Sequence, residues 1–318
     1  MGATASATLR SATWQLQSTP SGIGGCQNLD RTSVFHSTVA GLPVHARSDE
    51  WLRHLGTDQA VASRVGSRAW QGSRPGIPFN FVDSRVTPQA PINYPPEYPA
   101  GTWVATVPMP ADPLVEGDPT PAWDRHVVVV DSATCDMFEL VAYNKALYQM
   151  AGIHWAVRGV IWQLGAGSGL VPQAGTTVSA APESATLPRV DEVRAGRIDH
   201  VIGACSAFTS ATAVWPARGA DGTDPSPSAI PIGSRLRLRS TVDVARYTGQ
   251  SRVIAQALRD HGLLVSDTCD TALAFHGENA ATGWDDANLG QLDNLRIGDF
   301  EVVDAAPMMI SADSWQVR

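Results

Sequence analysis

The 318 residues suffice for one large domain or two modest ones with a sizeable core. Hydrophobic residues make up 43% and charged residues only 17%, which excludes a disordered polymer; 28 Gly and 22 Pro call for many turns between short strands. The formal net charge of −8 comes without any Lys/Arg cluster, so the field repels phosphate polyanions and argues against nucleic acid.

No apolar run approaches the roughly 20 residues of a membrane span, so no membrane insertion is expected. The opening Met1-Gly2-Ala3-Thr4-Ala5 carries no basic or apolar leader, which reads as a cytosolic chain or as a mature secreted form. The four cysteines, Cys26, Cys135, Cys205 and Cys269, favour the second. They are widely spaced, form no CxxC or other zinc pattern, and suit two disulfides in an oxidising compartment; four buried thiols are the alternative.

In chain order, residues 1–100 read as an irregular Pro/Gly-rich wrap on a main domain of residues 101–318. The wrap includes Ser18 to Gly25, Gln71 to Pro78 and the five prolines of Val86 to Gly101. Proline fixes φ and removes ladder donors, so this part should cover a sheet rather than supply a central strand. One short helix is expected within Asp49 to Val65.

Strand patterns then follow closely: Thr102 to Val107, Arg125 to Asp131, Asp136 to Ala142, Trp155 to Leu164, Arg197 to Ile202, Ala211 to Trp215, Arg235 to Val244, Leu263 to Asp267 and Ala272 to Phe275. Four consecutive valines from Val127 to Val130 fit a strand buried on both faces. The run Arg235 to Arg239 alternates, with Leu236 and Leu238 inward and the arginines outward. The principal helix is Gly249 to His261, with Ser251 as N-cap and Gly262 as the stop. Many short strands with one helix predict a mainly β fold, a β-sandwich or jelly roll.

Catalytic signatures with fixed local spacing (GxSxG, HExxH, the P-loop, GxGxxG) are missing. Gly165 to Gly169 precedes a proline-containing segment rather than a helix, which argues against a phosphate cradle. Polar clusters at strand ends remain. Asp124-Arg125-His126 leads into the valine strand, and His126 reads either as a buried structural histidine or as an acid/base or sugar contact. Asp191-Glu192 precedes Arg197-Ile198-Asp199-His200. Glycosidic cleavage needs two carboxylates, and Glu192 with Asp199 could supply them, tuned by His200 or His126. Their structural alternative is turn capping for Asp191 or Glu192 and pairing of Asp199 with Arg197 or Arg218.

Trp215 beside Arg218 suits sugar stacking with a hydrogen-bonding fork, or equally the plug of a sandwich end. Asp221 and Asp224 leave room for a structural calcium ion but fit no regular ligand spacing; no other cofactor and no further metal is expected. Asp267 ends an apolar strand, and Trp284-Asp285-Asp286 opens a short turn or helix with Asp285 as a candidate N-cap. Ten tryptophans, several beside Gly, Pro or charge (Trp70, Trp103, Trp123, Trp215, Trp284), suit a carbohydrate partner.

Several of these segments resemble a group of secreted bacterial and fungal proteins often associated with carbohydrate-binding modules. The similar segments are Asp124-Arg125-His126-Val127 to Asp131, Asp191-Glu192-Val193, Gly196 to His200, Val214 to Arg218, Pro231-Ile232-Gly233, Arg235 to Leu238, Trp284-Asp285-Asp286 and Asp299 to Val303. The resemblance spans Trp123 to Asp304 and implies an extracellular, carbohydrate-directed role, without assigning a catalytic residue. Gly219 stands where the group has His, and Thr268-Cys269 where it has Asn-Gly. Cys205 and Cys269 both fall where the group lacks cysteine, which implies that they pair with each other and leave Cys26 for Cys135.

The expected activity is that of a secreted glycoside hydrolase acting on an extracellular polysaccharide. Glu192 and Asp199 would be its acid and base, and Asp124, Trp215, Arg218, Asp267 and Trp284 its sugar contacts. The alternatives are a polysaccharide lyase, which the negative charge disfavours, and a non-catalytic carbohydrate-binding or surface protein.

Overall fold

The computed structural model describes residues 22–69, 72–96, 104–120, 124–165 and 175–318. Trp70, Trp103, Trp123 and residues 166–174 of the glycine-rich stretch lie outside the described residues. The fold is mainly β. Six strands form one sheet in the order Ala62–Arg64, Ala274–His276, Ile202–Ser206, Leu263–Thr268, Arg235–Leu238, Phe300–Val303. Four form a second, in the order Phe79–Val82, Val127–Asp131, Asp136–Val141, Arg158–Gln163. A small third sheet joins Thr106–Pro108, Gln89–Asn93 and His154–Trp155, and Thr209–Ala213 pairs with Ile230–Ile232. Three strand pairs in the two large sheets are parallel, which is foreign to the antiparallel Greek keys of a jelly roll; the architecture is one of stacked mixed sheets.

Hydrophobic pattern explains the stacking. Val127–Asp131 runs between Phe79–Val82 and Asp136–Val141 and is buried throughout. Its alternation sends Val128 and Val130 into a core shared with Phe79, Trp162, Leu264 and Trp315, between the two large sheets. Val127 and Val129 enter another core with Val107, Phe138 and Tyr143, toward the small sheet. The far face of the six-stranded sheet carries the helices. Gly249–Asp260 packs there through Ile254, Ala257 and Leu258, and Ser48–Leu55 through Trp51, Leu52 and Leu55.

The principal helix ends as expected: Gly262 has φ 76°, and its N–H donates to Ala257 O at 3.0 Å. Its start differs. Thr248 is the N-cap residue, while Ser251 lies inside the first turn, its hydroxyl donating to Asn288 O. Asp285 does cap the short helix Asp286–Leu289, accepting from Asn288 N–H.

The described residues among the first hundred are more regular than expected. Ala62–Arg64 and Phe79–Val82 are edge strands of the two large sheets, while Gln89–Asn93 is central in the small one despite Pro91. Its two partners are staggered, which makes the proline tolerable. Pro91 faces only Thr106, and pairing with His154–Trp155 begins at Ile92.

Alternation misplaces Arg235. Its side chain is buried, and the guanidinium donates to the carbonyls of His261, Val34 and Ser37, which cover that face of the strand. Arg197 to Val201 is likewise not a strand: Val201 N–H is taken by Phe35 O, and the ladder starts at Ile202.

Two disulfides form, Cys26–Cys135 and Cys205–Cys269. The first closes a separation of 109 residues and ties the N-terminal segment to the turn between Val127–Asp131 and Asp136–Val141. Closing a loop of that length restricts the unfolded chain strongly, so Cys26→Ser/Cys135→Ser should lower unfolding free energy by about 2–5 kcal/mol. Urea titration of the double variant checks this; a midpoint unchanged from wild type would contradict it.

Candidate functional site

Residues of both large sheets and their approaches line a cavity of about 300 Å³. From the six-stranded sheet come Arg64, Gly203 to Cys205, Ser266 to Thr268 and His276; from the approach to the four-stranded sheet come Glu116, Asp124 and His126. The segment carrying Thr177, Glu183 and Thr186 closes a third side. Three bonds stitch that segment between the sheets. Ser179 N–H donates to Ser266 O, Gly203 N–H to Thr186 O, and Glu183 N–H to Glu139 Oε1 at 2.7 Å.

Local geometry aims the acids inward. Arg125 has φ 61°, a left-handed backbone that costs a non-glycine residue free energy. It is held there by an ion pair with Asp118 at 2.6 Å and by bonds to the carbonyls of Glu116 and Thr120. The turn so fixed places Asp124 and His126 together on the cavity wall. His126 and Glu116 bond reciprocally through His126 N–H to Glu116 Oε2 at 3.2 Å and Glu116 N–H to His126 O at 2.9 Å. His126 is 4% exposed, and its Nδ1 makes no hydrogen bond; Glu183 Oε1 stands 3.4 Å away.

Crowding carboxyls in a partly desolvated hollow shifts their protonation. Burial pushes Glu116 up to about 8 and Asp267 up to about 7, with Asp124 adding to both. Glu183, 3% exposed, is raised well above the carboxylate range by burial and then by Glu139 and Glu116. Glu139 behind it rises to about 7 by burial, although Thr176 Oγ1 and Glu183 N–H donate to it. The imidazoles move oppositely: burial lowers His126 to about 4, and lowers His276 to about 4 with help from Arg64. Strongly displaced titrations converging on one hollow make it the candidate functional site.

Comparison with protein-family models, with curated proteins and with solved structures finds no match. Geometry and chemistry therefore define the site.

Of the residues singled out in the sequence, Asp124, His126 and Asp267 meet in this cavity. The expected Glu192–Asp199 acid/base pair does not form. Glu192 sits on the short helix Val190–Arg194, is 1% exposed, is bound by Arg189 and His200, and does not line this cavity. His200 is fully buried as its partner. Asp199 lines a different hollow with His36, Arg197 and His261. Trp215 and Arg218 clamp the C-terminal segment: the indole N–H donates to Ser314 O, and the guanidinium to Ala312 O and Asp313. Trp284 is core, its N–H donating to Glu278 O. Among the described residues no Trp, Tyr or Phe lines the cavity, so sugar stacking on Trp215 or Trp284 is not available there.

The sequence reading passed over Glu116, Glu183 and His276. Glu183 did carry a signal, as a lone acid in the small-residue run Ala180-Ala181-Pro182-Glu183-Ser184-Ala185. Glu139 did too, sitting inside the apolar strand Met137-Phe138-Glu139-Leu140. No group of three or more metal-ligating side chains occurs among the described residues.

The raised carboxyls bind protons in the folded state that the unfolded chain releases. Their stabilising contribution is present at acid pH and fades as pH climbs from 4.5 toward about 8 for Glu116. The depressed histidines work the other way, losing stability as pH falls from 6.5 toward about 4. Stability should thus peak at mildly acidic pH. Glu116→Gln should raise Tm by a few degrees at about pH 8 and leave it unchanged at about pH 5. Calorimetry across pH checks this; an equal shift at both ends would mean that Glu116 is not the group responsible.

Proposed function

We propose that this chain is a secreted glycan-active hydrolase, with its acid/base chemistry in the cavity between the two large sheets. The observation that carries the reading is the pair Asp267 and Asp124. One comes from a strand of the six-stranded sheet and the other from the turn entering the four-stranded sheet, and both line one cavity. Cleaving a glycosidic bond requires a proton donor and a second carboxylate flanking the bond. Asp267, held near neutrality by burial, suits the donor, since proton transfer is most effective when the group titrates near the working pH. Asp124, exposed at the mouth, is the partner that activates water or meets the sugar carbon.

The cavity lies at the small end of ligand sites, about 300–1,000 Å³, so it suits a chain end or a short oligosaccharide. A lyase acting on uronates is less well served. Arg64 is the one cationic side chain among the described lining residues besides the histidines, and it is engaged by Asp270 at 3.0 Å. Two disulfides, and no helix among the described residues long and apolar enough to cross a membrane, agree with secretion. So does the resemblance of Asp124 to Asp131 and its companion segments to secreted carbohydrate-associated proteins.

The test is a panel of polysaccharides and oligosaccharides, read by chromatography of released sugars for wild type and Asp267→Asn. Release by wild type and none by the variant is expected. Retention of a glycan without release by either protein would instead make this a binding protein.

A further inference from the structure

The donors and acceptors of the cavity are unequal. Its hydroxyls are all spent on protein acceptors: Thr177 Oγ1 on Ala181 O, Thr186 Oγ1 on Pro182 O and Glu183 O, Ser266 Oγ on Ala204 O, and Thr268 Oγ1 on Asp221. Arg64 directs Nη2 to Asp270 and Nη1 to His276 Nε2. What else faces the hollow is acid: the carboxyls of Glu116, Asp124, Glu183 and Asp267, acceptor-only once ionised, and the His126 Nδ1, which makes no hydrogen bond and stands 3.4 Å from Glu183 Oε1.

A ligand that fits must bring donors and positive charge, and must not bring a carboxylate or sulfate. Ordinary sugar hydroxyls donate and accept one for one. A protonated amine offers three donors and no acceptor, and its charge is matched by the acids around it. An N-acetyl group would remove that cation and with it the charge that the acids can match.

We propose that the cavity takes a glycan unit bearing a free amino group, a glucosamine-type residue, with the ammonium seated among Glu116, Asp124, Glu183 and Asp267 beside His126. This rests on the glycan reading above and names its substrate class. Binding a cation there favours the ionised carboxylates, so protons leave the protein as the amine enters. The raised Glu116 and Glu183 are the groups that release them, while Asp267 keeps the proton that it donates to the glycosidic oxygen.

The experiment is calorimetric titration of the full chain, at a pH where the amine is protonated, with trimers of glucosamine, glucose, N-acetylglucosamine and galacturonic acid. Each titration is run in two buffers of different ionisation enthalpy. The expected result is at least tenfold tighter binding of the glucosamine trimer than of the glucose trimer. Proton release should accompany the glucosamine trimer alone, and the preference should shrink several-fold in Asp124→Asn. Equal affinity for the glucosamine and glucose trimers, or a preference for the N-acetyl or uronate trimer, would overturn the inference while leaving glycan activity standing. Displacement of the glucosamine trimer by millimolar calcium, with calcium binding alone, would also overturn it. Binding of none of the trimers, together with no release in the polysaccharide panel, would remove the glycan reading itself.

Discussion

Asp267→Asn should lower turnover by about 10²–10⁴-fold, the usual contribution of a positioned acid/base group, while leaving glycan affinity within a few-fold of wild type. Asparagine is nearly isosteric and keeps the oxygen that accepts from Thr268 N–H at 2.8 Å, so strand and cavity wall should persist. What is lost is the proton. As a donor, Asp267 must be protonated, so wild-type turnover should fall as pH rises through about 7. The variant's residual turnover should lack that limb. Asp124→Asn should lose comparable turnover by removing the facing carboxylate. If both variants kept wild-type rates and pH profiles, the pair would have no part in the chemistry.

Arg189→Met should cost about 3–5 kcal/mol of unfolding free energy, the range for breaking a buried ion pair by removing one partner. Arg189 is 1% exposed, and Nη2 sits 2.9 Å from Glu192 Oε1. The same guanidinium reaches Ser184 O and Gly22 O, both at 3.3 Å. Glu192 Oε2 in turn accepts from Arg189 N–H at 3.0 Å and contacts His200 Nε2 at 3.1 Å. Methionine fills much of the volume but leaves Glu192 deep in the protein with its charge poorly matched. Arg189→Met/Glu192→Leu should therefore recover a good part of the loss, which a cycle of urea titrations measures. A single-variant loss below about 1 kcal/mol would show that the cluster contributes little. Because Ser184 adjoins Glu183, the arginine variant should also loosen one wall of the cavity and depress turnover.

The parts of the fold legible in the sequence are those that local pattern determines. Four valines in a row, the helical spacing of Ile254, Ala257 and Leu258, and Gly262 at a helix end each have one physical solution, and the structure adopts it. Where a residue's fate depends on what covers it from elsewhere, alternation misleads. Arg235 looked outward because its partners, Val34 and Ser37, lie about two hundred positions away in sequence.

The site divides in the same manner. Asp124, His126 and Asp267 adjoin strands and were visible as strand-end polar groups. Glu116 and Glu183 ride on irregular segments whose positions are fixed only by long-range bonds, such as Glu183 N–H to Glu139. Pairing Glu192 with Asp199 requires the chain to pass from a loop into a strand between them. A capping pair between Glu192 and Arg189, three residues earlier, forms a helical turn instead and draws the carboxyl inward.

The cavity wall draws on chain positions from Arg64 and Ile77 to His276. A fragment beginning after residue 100 would lack both of those lining residues, one outer strand from each large sheet, and the thiol that Cys135 needs. Trimming the other end removes Trp315, whose ring packs against Phe35 near the start of the sequence and Trp162 at its middle. Any effort to transplant, shorten or circularly rearrange this protein must keep nearly the whole polypeptide, because the hollow is a product of the entire chain rather than of any portable segment.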